Sequence, residues 1–135
     1  MVKIESWLPS APASATEARA LVRDAASELR LDASTTWELM LATTEAVANA
    51  VQHGQPCDPR GIFLRLEALD GTFEVEVRDC GGCFPTESRS AKPDLQGGRG
   101  IPIIAAIMDS LEILPSTGLT RVRFEKRLGL SPTSA

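Results

Sequence analysis

Val2, Ile4 and Leu8 fall at alternate positions, with Ser6 between them, and this two-residue period predicts a short first strand ending at Pro9. The small, proline-containing stretch 10–15 reads as a loop. Beyond it the period lengthens. Ala18, Leu21, Val22, Ala25 and Leu29 recur at helical intervals, and Ser14 with Glu17 has capping-box spacing before them. Leu31-Asp32 closes that helix, and Thr35 with Glu38 offers a second capping box. Trp37, Met40, Leu41, Thr44, Val47, Ala48 and Val51 then form the apolar side of a second helix, which runs out at Gly54 and Pro56.

Downstream the period returns to two. Residues 62–69 and 72–78 read as strands joined by an Asp70-Gly71 hairpin turn. Phe73, Val75 and Val77 face one way, and Glu74, Glu76 and Arg78 face the other, so one side of the sheet is expected to be covered and the other wet. Residues 80–100, rich in glycine and small polar side chains, form the long irregular segment, which such spacing marks as functional or mobile. A short apolar helix over 101–108 tolerates Pro102 in its first turn. Two further strands, 110–114 and 119–127, flank a turn at 115–118. Strands come in antiparallel pairs and helices in a separate group. The pattern predicts an α+β fold, a two-layer sandwich with helices on one face of a mixed, mainly antiparallel sheet. One domain is expected over residues 1–128, with a flexible tail over 129–135.

Composition narrows the function. A 135-residue chain with 43% hydrophobic residues can bury a real core. A net charge of −4 argues against a general nucleic-acid binder, because no basic stripe is available to displace counterions. No apolar run approaches the roughly 20 residues that span a bilayer. The N-terminus has no secretory h-region. Three cysteines, an odd number, do not suggest a disulfide framework, so a reducing, cytoplasmic setting is the simplest expectation.

Candidate chemistry begins with Glu45, Asn49 and His53, which share one helical stripe about 80° wide. A carboxylate, an amide and an imidazole among Ala46, Val47, Ala50 and Val51 need partners. A metal-bound phosphate ligand is one such partner, and an internal polar network is the other. Asp79-Cys80-Gly81-Gly82 then stands at a strand end, where glycines let a flat ligand approach a carboxylate; an ordinary turn is the plain alternative. Gly97-Gly98-Arg99-Gly100 precedes a helix, where exposed amides and the helix dipole suit phosphate. No Walker A sequence and no dinucleotide fingerprint occurs.

Taken together, these segments resemble the Bergerat-fold ATPases: gyrase, heat-shock-90, histidine-kinase and MutL-type domains. Their Glu-x-x-x-Asn-x-x-x-His motif is similar to Glu45, Asn49 and His53, their Asp-x-Gly-x-Gly to Asp79 and Gly81, and their Gly-x-Gly to Gly98-Arg99-Gly100. Within that superfamily the chain resembles the anti-sigma-factor serine kinases of bacterial partner switching. The resemblance implies an ATP- and Mg²⁺-dependent kinase that binds a sigma factor and phosphorylates a serine of a STAS-type anti-sigma antagonist. It implies Glu45 as general base, Asn49 as Mg²⁺ ligand, Asp79 as acceptor from the adenine amino group, and Gly81 as room for the base. Gly98 and Gly100 would offer amides to the phosphates. Arg99 would add charge there or stand solvated, and His53 would touch phosphate or cap its helix. The wet sheet face and the strand edges are candidate surfaces for a homodimer.

Cys83 replaces the third glycine of the second motif, and Pro102 sits where a bulkier residue is common. The cysteines also open a rival reading. His53, Cys57, Cys80 and Cys83 supply the ligand set of a zinc or redox-sensing site. Against that, the family pattern implies Cys80 and Cys83 as reduced thiols lining the nucleotide pocket. A third reading keeps the fold as a partner-binding module without turnover.

Overall fold

The computed structural model describes residues 2–81 and 100–129. Strand β1 (Val2–Leu8) leads into helices α1 (Ala13–Glu28) and α2 (Ala33–His53), and a 3-10 turn follows at Asp58–Arg60. Strands β2 (Ile62–Leu69) and β3 (Thr72–Asp79), helix α3 (Gly100–Ile107), and strands β4 (Ser110–Ser116) and β5 (Leu119–Arg127) complete the chain. The five strands form one sheet in the order β1-β2-β3-β5-β4, and every neighbouring pair is antiparallel. The expected α+β sandwich is therefore present, with a sheet that is antiparallel throughout rather than mixed. The expected tail, past Gly129, lies outside the described residues.

Local chemistry explains the element ends. Asp70 and Gly71 take φ of 53° and 77°, the left-handed pair that a two-residue hairpin turn requires. Neither expected capping box forms. Ser14 lies inside α1, where its hydroxyl donates to the Pro9 carbonyl. Asp32 does not close α1 but caps α2, accepting from the Thr35 amide at 2.7 Å. Glu38 is thereby free to reach across to Lys126, 2.6 Å away.

Helix α2 lies between α1 and α3 and crosses the sheet at β3. Its covered face is Leu39, Ala42, Thr43, Ala46, Val47 and Ala50. This face is rotated from the expected one, and Trp37 is 60% exposed. Alanines at 42, 46 and 50 let α2 sit close to Val75, Val77, Val122 and Phe124 of the sheet, all buried. That close seating sets one wall of the site.

The far side of the sheet is less wet than its charges suggest. Glu5, Arg65, Glu76, Arg123 and Glu112 stand in register across all five strands, alternating in sign from one edge to the other. Glu76 is only 2% exposed, pinned by Arg65 at 2.9 Å and Arg78 at 2.5 Å. Burial works to raise its carboxyl, but the two guanidinium hydrogen bonds together outweigh burial and hold it below the usual range. This interaction stabilises the fold at neutral pH and is lost as pH falls through the depressed value. Arg65→Met strips one partner from a buried carboxylate, and chemical denaturation at pH 7 should register a loss of about 3–5 kcal/mol.

Candidate functional site

The C-terminal half of α2 and the ends of β3 and β5 enclose a pocket of about 470 Å³, including its solvent-open part. Ala46 and Ala50 of α2, Val77 of β3 and Val122 of β5 form its apolar floor. Asn49, His53, Gly54, Asp79, Gly81 and Thr120 supply the remaining wall. A mostly apolar cleft with a few convergent polar groups suits a small organic ligand.

Asp79 is the buried acid of this pocket, 7% exposed. Its Oδ1 accepts from the Gly81 amide at 2.8 Å and from the Gln55 amide at 3.3 Å. Burial raises its carboxyl above the usual carboxylate range, and the two amides offset that only in part. Both backbone bonds end on one oxygen, so the other remains open to a donor from the pocket. Glycine at 54 is what permits this arrangement. A Cβ there would stand 2.5 Å from Asp79 Cγ and 2.7 Å from the Ala50 carbonyl oxygen. Gly54→Ala should therefore displace the carboxylate and cost about 1–3 kcal/mol of stability, measured by denaturant unfolding.

Asn49 and His53 also reach the pocket, but Glu45 does not line it. Glu45 stands one turn earlier on the same stripe, partly exposed. Among the described residues none of these three side chains makes a hydrogen bond, so the internal polar network is not what they form. Gly98 and Arg99 lie outside the described residues, and Gly100 opens α3.

Thr120 was missed by sequence reasoning. It faces Asp79 across the β3–β5 ladder and is buried on the pocket side. The available signal was its place in β5, the polar residue on the inner face beside Val122 and Phe124. Gln55 was missed as well, because it acts through its backbone.

The cysteines correct two expectations. Cys57 and Cys80 form a disulfide, with S–S 1.98 Å. Cys80 is thus not a reduced thiol, and two of the four proposed zinc ligands are consumed. His53 is exposed, and no group of three or more His, Cys, Asp or Glu side chains among the described residues can hold a metal. Cys83 lies outside the described residues.

Residues 8–126 match the family model for the histidine kinase-like ATPase domain. The chain belongs to that family. An anti-sigma F factor of Heyndrickxia coagulans is 37% identical over 130 residues, covering 87% of this chain and 88% of that protein. The serine-protein kinase RsbW of Bacillus subtilis is 26% identical over 129 residues, covering 87% and 81%. Among solved structures, the RsbU and RsbW domains of Rv1364c from Mycobacterium tuberculosis superpose with a TM-score of 0.75 at 25% identity. That match covers 95% of this chain and 32% of the other, so the chain spans about a third of its length. This ATPase domain thus falls in the anti-sigma-factor and serine-kinase branch. No described helix is long and apolar enough to cross a membrane.

Proposed function

We propose that this ATPase domain is an anti-sigma factor and ATP-dependent serine protein kinase, which binds a sigma factor and phosphorylates a serine of a STAS-type antagonist. The observation that carries this reading is the convergence of Asp79, Gly81, Asn49 and His53 on one apolar-floored pocket. A buried carboxylate with one oxygen unpartnered suits the amino edge of adenine, and the alanine and valine floor suits its flat face. ATP would supply the phosphoryl group there.

Asn49 would hold Mg²⁺ through its amide oxygen. The described residues offer no carboxylate cage, which suits an ion that takes its other ligands from phosphate and water. Glu45, outside the pocket lining and partly exposed, would meet a hydroxyl arriving on a partner protein and take its proton. Gly98 and Gly100 would turn backbone amides toward the phosphates, with Arg99 beside them and His53 at the end of α2. The cytoplasm, where sigma factors act, would be its setting.

A homodimer through the outer sheet face fits the charge layout. Glu67, Glu74 and Glu125 form one row, and Phe63, Arg78 and Arg121 form another four residues further along each strand pairing. A twofold axis would bring the acidic row of one copy against the basic row of the next.

The deciding experiment follows labelled γ-phosphate from ATP to a STAS-type antagonist domain, with a serine-to-alanine antagonist as control. Label on the antagonist serine is the expected result. Its absence, with nucleotide bound, would leave a partner-binding module without turnover.

A further inference from the structure

We propose that the Cys57–Cys80 disulfide is a redox switch on the nucleotide pocket, opened by dithiol–disulfide exchange and closed by a disulfide oxidant. The proposal rests on the nucleotide-binding reading above and adds its regulation.

The bond joins the segment after α2 to the residue after β3, 23 positions apart in sequence. Everything between the bond and the pocket is short. Asp79 precedes Cys80 directly, and Gln55 stands two residues before Cys57. The Cys80 amide donates to the Gln55 carbonyl at 2.8 Å, and the Gln55 amide donates back to Asp79 Oδ1 at 3.3 Å. The disulfide thus clamps the Gln55 peptide against the strand end, and that peptide orients the Asp79 carboxylate.

Beyond the bond, the segment is held by surface contacts: the Cys57 amide donates to the Gly61 carbonyl, and the Arg60 guanidinium lies over the Trp7 ring at 4.4 Å. Gln55, Pro56, Asp58, Pro59 and Arg60 are exposed, and Cys57 is the buried residue among them. Cys57 also stands outside the contiguous hydrophobic core, so opening the bond does not breach the packing of α2 on the sheet. A structural staple belongs where a chain is too short to build a core, and 135 residues are enough to bury one. In a reducing compartment such a bond is more often a sensor than a support.

The exchange step balances. A thiolate of the external dithiol attacks Sγ of Cys80, the less buried residue of the pair, and Cys57 Sγ leaves as thiolate and is protonated. The reagent's second thiol, deprotonated, then attacks the mixed disulfide and releases Cys80. Two electrons and two protons pass to the protein, and the dithiol becomes a disulfide. Once the clamp is open, the Gln55 peptide is held to the strand end only by its carbonyl's bond from the Cys80 amide and its own long bond to Asp79 Oδ1, so the Asp79 carboxylate is held less firmly.

The test is calorimetric titration of the full chain with Mg·ADP, before and after treatment with dithiothreitol. The oxidised protein should bind roughly five- to tenfold more tightly than the reduced one. The Cys57→Ser/Cys80→Ser double variant should match the reduced protein and ignore the reagent, whereas Cys83→Ser should respond as the wild type does. Hydrogen exchange needs no ligand: reduction should speed exchange at the Gln55 and Cys80 amides while Leu66 and Val75 stay protected. Equal ADP affinity in both redox forms overturns the switch and leaves the nucleotide reading intact. Failure of the oxidised protein to bind ADP at all overturns both. Loss of protection across β2 and β3 on reduction would make the bond a staple, and that too overturns the proposal.

Discussion

Asp79→Asn is expected to weaken adenine-nucleotide binding by about ten- to a hundredfold, equivalent to the roughly 1.5–3 kcal/mol of a charge-assisted hydrogen bond. The same change should leave the empty protein as stable as the wild type at pH 7, or more so. The two effects have one cause. Burial raises the Asp79 carboxyl, so the fold favours its protonated form. For an acid raised in this way, the favourable contribution is present at low pH and is lost as pH rises through the folded value. At neutral pH the ionised group therefore weighs against the fold, and only a ligand donor repays that. Asparagine removes the charge, while its carbonyl oxygen can still accept from Gly81 and Gln55. Wild-type affinity should also decline as pH drops through the raised Asp79 value, and the variant should be flat over that window. Calorimetry paired with thermal melts checks both halves. Unchanged affinity in the variant would remove Asp79 from nucleotide recognition.

Much of this arrangement was legible in the sequence because it is periodic. Alternation located β2, β3 and β5 within a residue, and Asp70-Gly71 announced its turn through the φ values only such residues adopt readily. The stripe Glu45–Asn49–His53 could be read from helical spacing alone. Helix α2 was harder to orient. Its covered face depends on alanines, which carry little hydrophobic signal, whereas Trp37 carries a strong one and points to solvent. Capping failed for a related reason: Asp32, Thr35 and Glu38 all suit a helix start, and only the tertiary pull of Lys126 on Glu38 shows which pair forms.

The site divided along the same line. Asp79 and Gly81 could be named because they sit in a local motif. Thr120 and Gln55 could not, since they reach Asp79 through strand register and a backbone amide across 24 residues of chain. The disulfide escaped for the opposite reason. An odd cysteine count and an intracellular expectation argue about whole chains, whereas pairing is decided by two Cα atoms 4.9 Å apart.

Glu45 and Asn49 occupy neighbouring turns of one helix, yet their substitution should split into two phenotypes. Glu45→Gln should slow phosphoryl transfer to the antagonist by about a hundred- to ten-thousandfold, the usual contribution of a positioned base. Nucleotide affinity should barely change, because Glu45 lies outside the pocket lining. Asn49 lines the pocket, and its amide has no hydrogen-bond partner among the described residues. Asn49→Ala should therefore weaken Mg²⁺-dependent nucleotide binding and transfer together, with little effect on binding measured in excess chelator. Stability should separate the two less, since neither side chain is buried. Single-turnover transfer and nucleotide titration on the same preparations give the comparison. Transfer at the wild-type rate in Glu45→Gln would remove the base from this helix, and a purely kinetic defect in Asn49→Ala would remove the metal from Asn49.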